Sequence, residues 1–481
     1  MTLTVRHERV IVNSPSLPSK RPDVSRRELL RGAALAGLGP LTLSACAFPV
    51  GAPPPPAGGG VPRIAEDGPL EIWIFDGGLG DDYARTIHEP LVAARFPRLR
   101  ISHNATKEIA RTLQPRFVGG DPPEVVDNSG AGAMDLGALV QDGQLTDLTP
   151  LYDAPSWDDP AVTVRETVDP TAIELGSYGG RPYVMNYTTT VWGIWYSRPL
   201  FEARGWRPPR TWARFLDLCE EVRRSGMAPF TYAGTHPQYI YEPILTLAAK
   251  IGGRRVLTDI DNLAEGAWQA EPVRRAATAF AELGARHLLL EGTAGLDHVQ
   301  TQIAQNRGLV AMLPCGSWLE NEQRGSAPDG FGYAMFPLPD FGPSDAMPYG
   351  TLHAQPGEEY IVPARSANPG AGLEYLRAML SGKASGRFTE TVSTLTVVRG
   401  AAEGHRLGPG LESARAALAA AGGNVVSSMF RRWYSELHDE VAAASGQLMG
   451  GAIDADRWAE RAQRKADALR ADPSVRKFTR R

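Results

Sequence analysis

Between Tyr178 and Ser197 the chain reads Tyr-Gly-Gly-Arg-Pro-Tyr-Val-Met-Asn-Tyr-Thr-Thr-Thr-Val-Trp-Gly-Ile-Trp-Tyr-Ser. A Gly-Gly turn opens it, and an aromatic and β-branched run follows. Strands in globular proteins are usually about 5–6 residues long, so this run is too long for a typical one. Two readings are open. It is a segment crossing from one lobe to another while lining the groove between them, or it is two buried strands joined by a polar kink. Asn186, Tyr187 and the threonines after them suit a ligand better than a dry core.

Upstream, Leu70-Glu71-Ile72-Trp73-Ile74-Phe75 reads as a central strand, ended by the permissive turn Asp76-Gly77-Gly78-Leu79-Gly80. Tyr83, Ile87 and Leu91 then mark a helix, Ile101 a second strand, Ile109, Leu113 and Phe117 a second helix, and Pro122 to Asn128 a third strand. Strands alternating with helices predict an α/β fold with a parallel sheet, whose ligands bind beyond the carboxyl ends of the strands. Asp76 and Asn128 stand at such ends; each also fits a turn or a helix cap. A chain of 481 residues exceeds what one core usually supports, so two lobes are expected.

The second half repeats these signals. Thr211 is placed to cap a helix whose apolar face carries Trp212, Phe215, Leu216, Cys219 and Val222. Thr231 to Tyr241 reads as a loop with Tyr232, Tyr239 and Tyr241, no packing period explaining them. Leu309 to Leu313 is a buried strand, and Pro314-Cys315-Gly316-Ser317-Trp318 presents an indole directly after it. Phe341 to Thr351 is Gly/Pro-rich and reads as a return crossing, with a third near Thr391.

The N-terminus reads as an address. Arg26-Arg27 precedes the short apolar stretch Gly32 to Ala45, the pattern of a twin-arginine export signal. Leu43-Ser44-Ala45-Cys46 resembles a lipobox, and Pro53 to Gly60 is a spacer that cannot pack a core. Residues 1–45 are therefore expected to be removed. Cys46 would then carry a lipid that tethers the chain, through residues 46–68, to the outer face of the cell membrane.

Formal net charge is −4, without the basic stripe nucleic acid requires. Three cysteines make no disulfide framework. The sequence lacks a nucleophile elbow, a phosphate loop and zinc spacing. A glycosidase needs no local signature, and Glu320, Glu322 and Asp76 are its candidate carboxylates. What remains is aromatic, amide and carboxylate groups at strand ends of two lobes. Sugars use that mixture, their C–H faces lying on rings and their hydroxyls pairing with polar groups.

Several longer motifs carry a resemblance. Tyr178-Gly179-Gly180-Arg181-Pro182-Tyr183, Tyr196 to Phe201, Pro209-Arg210-Thr211-Trp212, and Ala311-Met312 before Gly316-Ser317-Trp318 resemble the family-1 extracellular solute-binding proteins of carbohydrate ABC importers. Ile74 to Gly78, Leu113 to Phe117, Asp127 to Ala131, Ala154 to Pro160, Gly295 to His298, Ser317 to Glu322 and Met347 to Leu352 are similar to its actinobacterial lipoproteins that bind N-acetylglucosamine and N,N′-diacetylchitobiose. Cys315 and His353 stand where an amide and an aromatic are expected.

The resemblance implies a two-lobed periplasmic-binding-protein-like fold of type II with its ligand cleft between the lobes. Residues 69–187 plus 345–390 would form one lobe and 188–344 plus 391–481 the other. It implies a monomer that captures the chitin-derived sugar and passes it to ABC permease subunits, with no cofactor and no covalent chemistry. Trp318 is the expected stacking platform, with Tyr187, Tyr232, Tyr239 and Tyr349 as walls. Asp76, Asn128, Asn186, Glu320, Asn321 and His353 are the expected polar contacts. A lipid-anchored glycosidase and a sugar sensor for a membrane partner are the alternatives.

Overall fold

The computed structural model describes residues 63–130 and 132–480. The export signal, Cys46 and the spacer lie outside the described residues. The last part of the expected tether is packed: Ala65 exchanges two hydrogen bonds with the Asn368 side chain, at 3.0 and 2.9 Å.

The alternation of strand and helix folds as read. β1 (Pro69–Phe75) buries Leu70, Ile72 and Ile74 completely. A π-helical turn, Ala84–His88, leads into the helix Glu89–Arg95 and brings His88 into the core. β2 (Arg100–Thr106) lies parallel to β1. The helix Ile109–Gly119 stops at Gly120, whose φ of 76° favours a residue without Cβ. β3 (Val125–Asp127) lies parallel on the other side of β1. A short hairpin, β4 (Ser177–Tyr178) and β5 (Arg181–Pro182), turns through Gly179 and Gly180, both with positive φ.

The long run is one continuous 13-residue strand, β6 (Met185–Ser197). The remaining strands are β7 (Ala228–Phe230), β8 (Val310–Gly316), β9 (Tyr333–Phe336), β10 (Leu352–Ile361), β11 (Leu395–Thr396) and β12 (Val425–Val426). The main sheet runs β2-β1-β3-β10-β6-β8-β7, with β9 and β11 also on β6 and β12 on β10. It is mixed rather than purely parallel, because β10 and β6 enter it antiparallel to their neighbours.

β6 changes partners along its length, which explains why it is so long. From Met185, opposite Tyr360, to Trp192, opposite His353, it pairs with β10. From Trp192, opposite Gly316, to Ser197, opposite Tyr333, it pairs with β8 and β9. The return crossing is β10 itself; the Gly/Pro-rich segment before it is the approach. β11 adds a third contact at Thr188 and Thr189.

One core lies around β1, β3 and the first part of β6, with Tyr83, Tyr187, Tyr360 and Phe388 inside it. A larger one is filled by helices of the second half, including Gln238–Gly252 and Glu271–Ala285. Cys219 and Cys315 are buried and free, Cys315 on β8 rather than in a turn.

Candidate functional site

The registers above set three strand ends along β6. Asp127, at the end of β3, is opposite Tyr360, which is opposite Met185 on β6. Gly316, at the end of β8, is opposite Trp192 on the same strand. β3 therefore ends level with the start of β6 and β8 level with Trp192, and the segments that follow them flank the stretch of β6 between. There Thr189 and Thr190 are half-buried within a strand that is otherwise almost wholly buried. Loops following strand ends of a mixed α/β sheet are where such folds place ligands.

The wall after β8 is aromatic. The Trp318 ring lies over Gly316, where an added Cβ would sit 2.1 Å from it. Trp318 meets Trp192 edge to face at 5.1 Å and Tyr239 at 6.1 Å, and Trp192 meets Tyr239 at 5.4 Å. Tyr239 in turn stacks on His298, with centroids 5.8 Å apart and planes at 20°. Edge-to-face packing at these separations fixes ring orientation as well as burying area. Trp318 keeps part of its surface open, whereas Trp192 and Tyr239 are buried.

The opposing wall is the loop after β1. Phe75 closes its floor, its ring pressed against two glycines: a Cβ at Gly77 would lie 2.1 Å from it and one at Gly130 2.3 Å. Asp76 follows, half-buried, its backbone N–H donating to Thr106 at 3.1 Å. The two walls touch through the short helix Leu319–Glu322. Asn321 donates from Nδ2 to the Gly78 carbonyl at 2.7 Å.

Deeper in the first half, burial pushes the Asp127 carboxyl up to about 6. Glu358 beside it is shifted the same way, by burial and by the Asp127 charge. Ser129 donates to Asp127 at 2.5 Å. Among the described residues no group of three or more His, Cys, Asp or Glu is arranged to hold a metal ion.

Of the residues singled out from the sequence, Asp76, Tyr239, Trp318 and Asn321 are brought together here. The others are employed elsewhere. Tyr187 is a core residue, its hydroxyl 3.0 Å from His88 Nε2. Asn128 braces its own loop, donating to the Met134 carbonyl at 3.0 Å and accepting from the Met134 N–H at 2.8 Å. Asn186 donates to the Ala172 carbonyl at 2.9 Å. Glu320 caps the helix Pro409–Ala421, accepting from the Leu411 N–H at 2.9 Å with its carboxylate nested against Gly408 and Gly410.

Tyr232 is buried in the second core, where its backbone pairs with Thr293. Tyr349 lies under the Arg210 guanidinium, 4.6 Å from ring centre to charge. His353 is buried on β10, its Nδ1 3.2 Å from Glu242. The expected tyrosine loop is a loop only from Thr231 to Pro237, where Tyr232 lies; from Gln238 it is the helix Gln238–Gly252, and Tyr241 in its first turn bonds His438 at 2.7 Å.

Trp192, His298 and Phe75 lie beside these residues without having been singled out in the sequence, and Glu322, a candidate carboxylate there, lies with them. The available signal was their position inside or next to the quoted motifs.

Residues 99–385 match the family described as bacterial extracellular solute-binding protein. The chain is 32% identical over 465 residues to the diacetylchitobiose-binding protein NgcE of Streptomyces coelicolor, covering 94% of this chain and 98% of that one. A shorter stretch of 139 residues, 29% of this chain and 30% of that one, is 24% identical to a multiple sugar-binding protein of Streptococcus mutans. Among solved structures, a chitin oligosaccharide binding protein superposes with a TM-score of 0.64 at 18% identity, over 81% of this chain and 93% of that one. The apo form of RafE from Streptococcus pneumoniae does so with a TM-score of 0.65 at 17% identity, over 83% and 97%. The fold is the two-lobed, type II arrangement in which a cleft lies between lobes joined by crossing strands. By family match and by near full-length identity, the chain belongs to the bacterial extracellular solute-binding proteins.

Proposed function

We propose that this protein captures N-acetylglucosamine, N,N′-diacetylchitobiose or both, and delivers the intact sugar to an ABC-type permease. The observation carrying this most is the 32% identity to the diacetylchitobiose-binding protein over 94% of the chain. The aromatic wall at Trp318 facing the polar loop at Asp76 supports it. Sugar rings lie on an indole through their C–H faces, while hydroxyls and acetamides take the polar groups around it. Burying those groups against an apolar ligand would cost their hydration.

In this proposal residues 69–187 with 345–390 form one lobe and 188–344 with 391–481 the other. β6, β10 and β11 are the connections about which they close on the ligand. Trp318 is the stacking platform, Trp192 and Tyr239 hold it upright, and Asp76 and Asn321 are polar anchors. No bond of the sugar is made or broken. The chain is exported through its twin-arginine signal, acylated at Cys46 and held as a monomer at the outer face of the cell membrane.

Two measurements test this together. Diacetylchitobiose should raise the melting temperature in a saturable way while maltose does not. The sugar recovered after prolonged incubation should be unaltered; release of monosaccharide would instead identify a hydrolase.

A further inference from the structure

The polar side of the Trp318 wall has a carboxylate that the proposed function leaves unassigned. Resting on that function, we propose that Glu322 is the ligand-facing carboxylate of this wall. It accepts a hydrogen bond from a hydroxyl or amide N–H of the saccharide, and His298 and Gln302 are the positioning residues that hold it.

The two glutamates of the short helix have different surroundings. Glu320 is committed to the N-terminus of the helix Pro409–Ala421. Glu322 instead faces the loop after β1: a Cβ placed on Gly78 would lie 3.3 Å from its Oε1. Its side chain is 13% exposed. Asn321, next to it, reaches the same Gly78.

The carboxylate is held from behind by one helix. Asp297 and Gln300 form a reciprocal cap that fixes the start of His298–Asn306. His298 and Gln302 are then four residues apart, one turn on the same face. Gln302 Nε2 donates to Glu322 Oε2 at 2.7 Å, and His298 Nε2 lies 3.3 Å from Oε1. Gln302 is itself oriented, its Oε1 accepting from Gln323 at 2.7 Å, and Gln323 accepts from Asn306 at 2.9 Å. Tyr333 donates to Asn306 and completes the chain. Every amide in this relay has its direction set by the next.

An ionised carboxylate offers about four acceptor positions. Gln302 and His298 take two, and Oε1 lies close against Gly78 of the loop after β1. Such a preoriented, partly buried acceptor selects for a donor and against an anionic sugar at the same place. The stacking of His298 on Tyr239 ties this polar side to the aromatic wall.

Isothermal titration of full-length protein with diacetylchitobiose tests the assignment. Glu322→Gln should weaken binding roughly 10- to 100-fold, the range for hydrogen bonds to charged groups. Glu320→Gln should leave affinity within about twofold while lowering the melting temperature. Equal affinities for wild type and Glu322→Gln overturn this inference alone. If wild type binds neither diacetylchitobiose nor N-acetylglucosamine, the inference and the proposed function fall together.

A ligand-free readout separates positioning from fold. Glu322, Asp297, His236 and Tyr239 face the His298 ring, and Glu322 raises its pKa above the ordinary histidine value. Proton titration by NMR should show the His298 midpoint falling in Glu322→Gln. An unmoved midpoint contradicts the pairing.

Discussion

Asn321 and Gly78, 243 residues apart in sequence, are joined by a 2.7 Å hydrogen bond from the side-chain amide of one to the backbone carbonyl of the other. It is the direct link between the helix after β8 and the loop after β1. Because Gly78 offers only its backbone, substitution at position 321 removes the link without changing the loop's sequence. Asn321→Ala should lower diacetylchitobiose affinity about 2- to 10-fold, the worth of one hydrogen bond of about 0.5–1.5 kcal/mol. Titration calorimetry of the two proteins side by side checks this.

Gly316 sets where the Trp318 ring lies. An added Cβ would come within 2.1 Å of the ring, so Gly316→Ala must push the indole off the end of β8. The expected outcome is at least tenfold weaker binding with circular dichroism unchanged. Retained affinity would mean the ring has room that this packing denies it.

Tyr187 shows the opposite behaviour. Its hydroxyl meets His88 Nε2 at 3.0 Å in a fully buried setting. Tyr187→Phe leaves that nitrogen without its partner and should cost about 1–3 kcal/mol of folding stability. Urea denaturation measures the loss, and sugar affinity of the folded variant should not change.

His88 also predicts a pH dependence. Burial holds its pKa down to about 3, against 6.5 for an ordinary histidine. The folded ring stays neutral while the unfolded chain takes a proton below 6.5, so this contribution is intact above pH 6.5 and is lost as pH falls towards 3. Burial raises Asp127 and Asp261 to about 6, which works in the reverse direction over the same window. The comparison with His88→Gln isolates the histidine. Between pH 7 and 4.5 wild type should lose roughly 2–3 kcal/mol of stability relative to the variant.

What could be read from the sequence was local. β1 to β3 and the helices between them follow from hydrophobic period and glycine stops, and Thr211 does cap its helix, accepting from the Arg214 N–H at 3.4 Å. The unusual length of β6 was visible, but its exchange of partners at Trp192 was not, since β8, β9 and β10 come from segments more than a hundred residues away.

Site residues failed in the sequence for a related reason. Asn128 and Glu320 have the same chemistry whether they grip a ligand or a backbone amide, and only the neighbouring loop and helix decide. Tyr187 and Thr189 lie two apart on β6, yet the first is sealed beneath Phe388 and the second is half-open. Trp318 stood out because an indole after a buried strand, beside Gly316 and Ser317, has little core to enter.

In the proposed function an intact sugar is gripped against Trp318. Calorimetric titration of wild type and Trp318→Ala with diacetylchitobiose tests it most directly. Wild type should show saturable binding. The alanine variant should bind roughly 10- to 100-fold more weakly, the effect of withdrawing about 1.5–3 kcal/mol of aromatic burial, while remaining folded with a modestly lower unliganded melting temperature from the lost contacts with Trp192 and Tyr239. Equal affinities in the two proteins would contradict the claim.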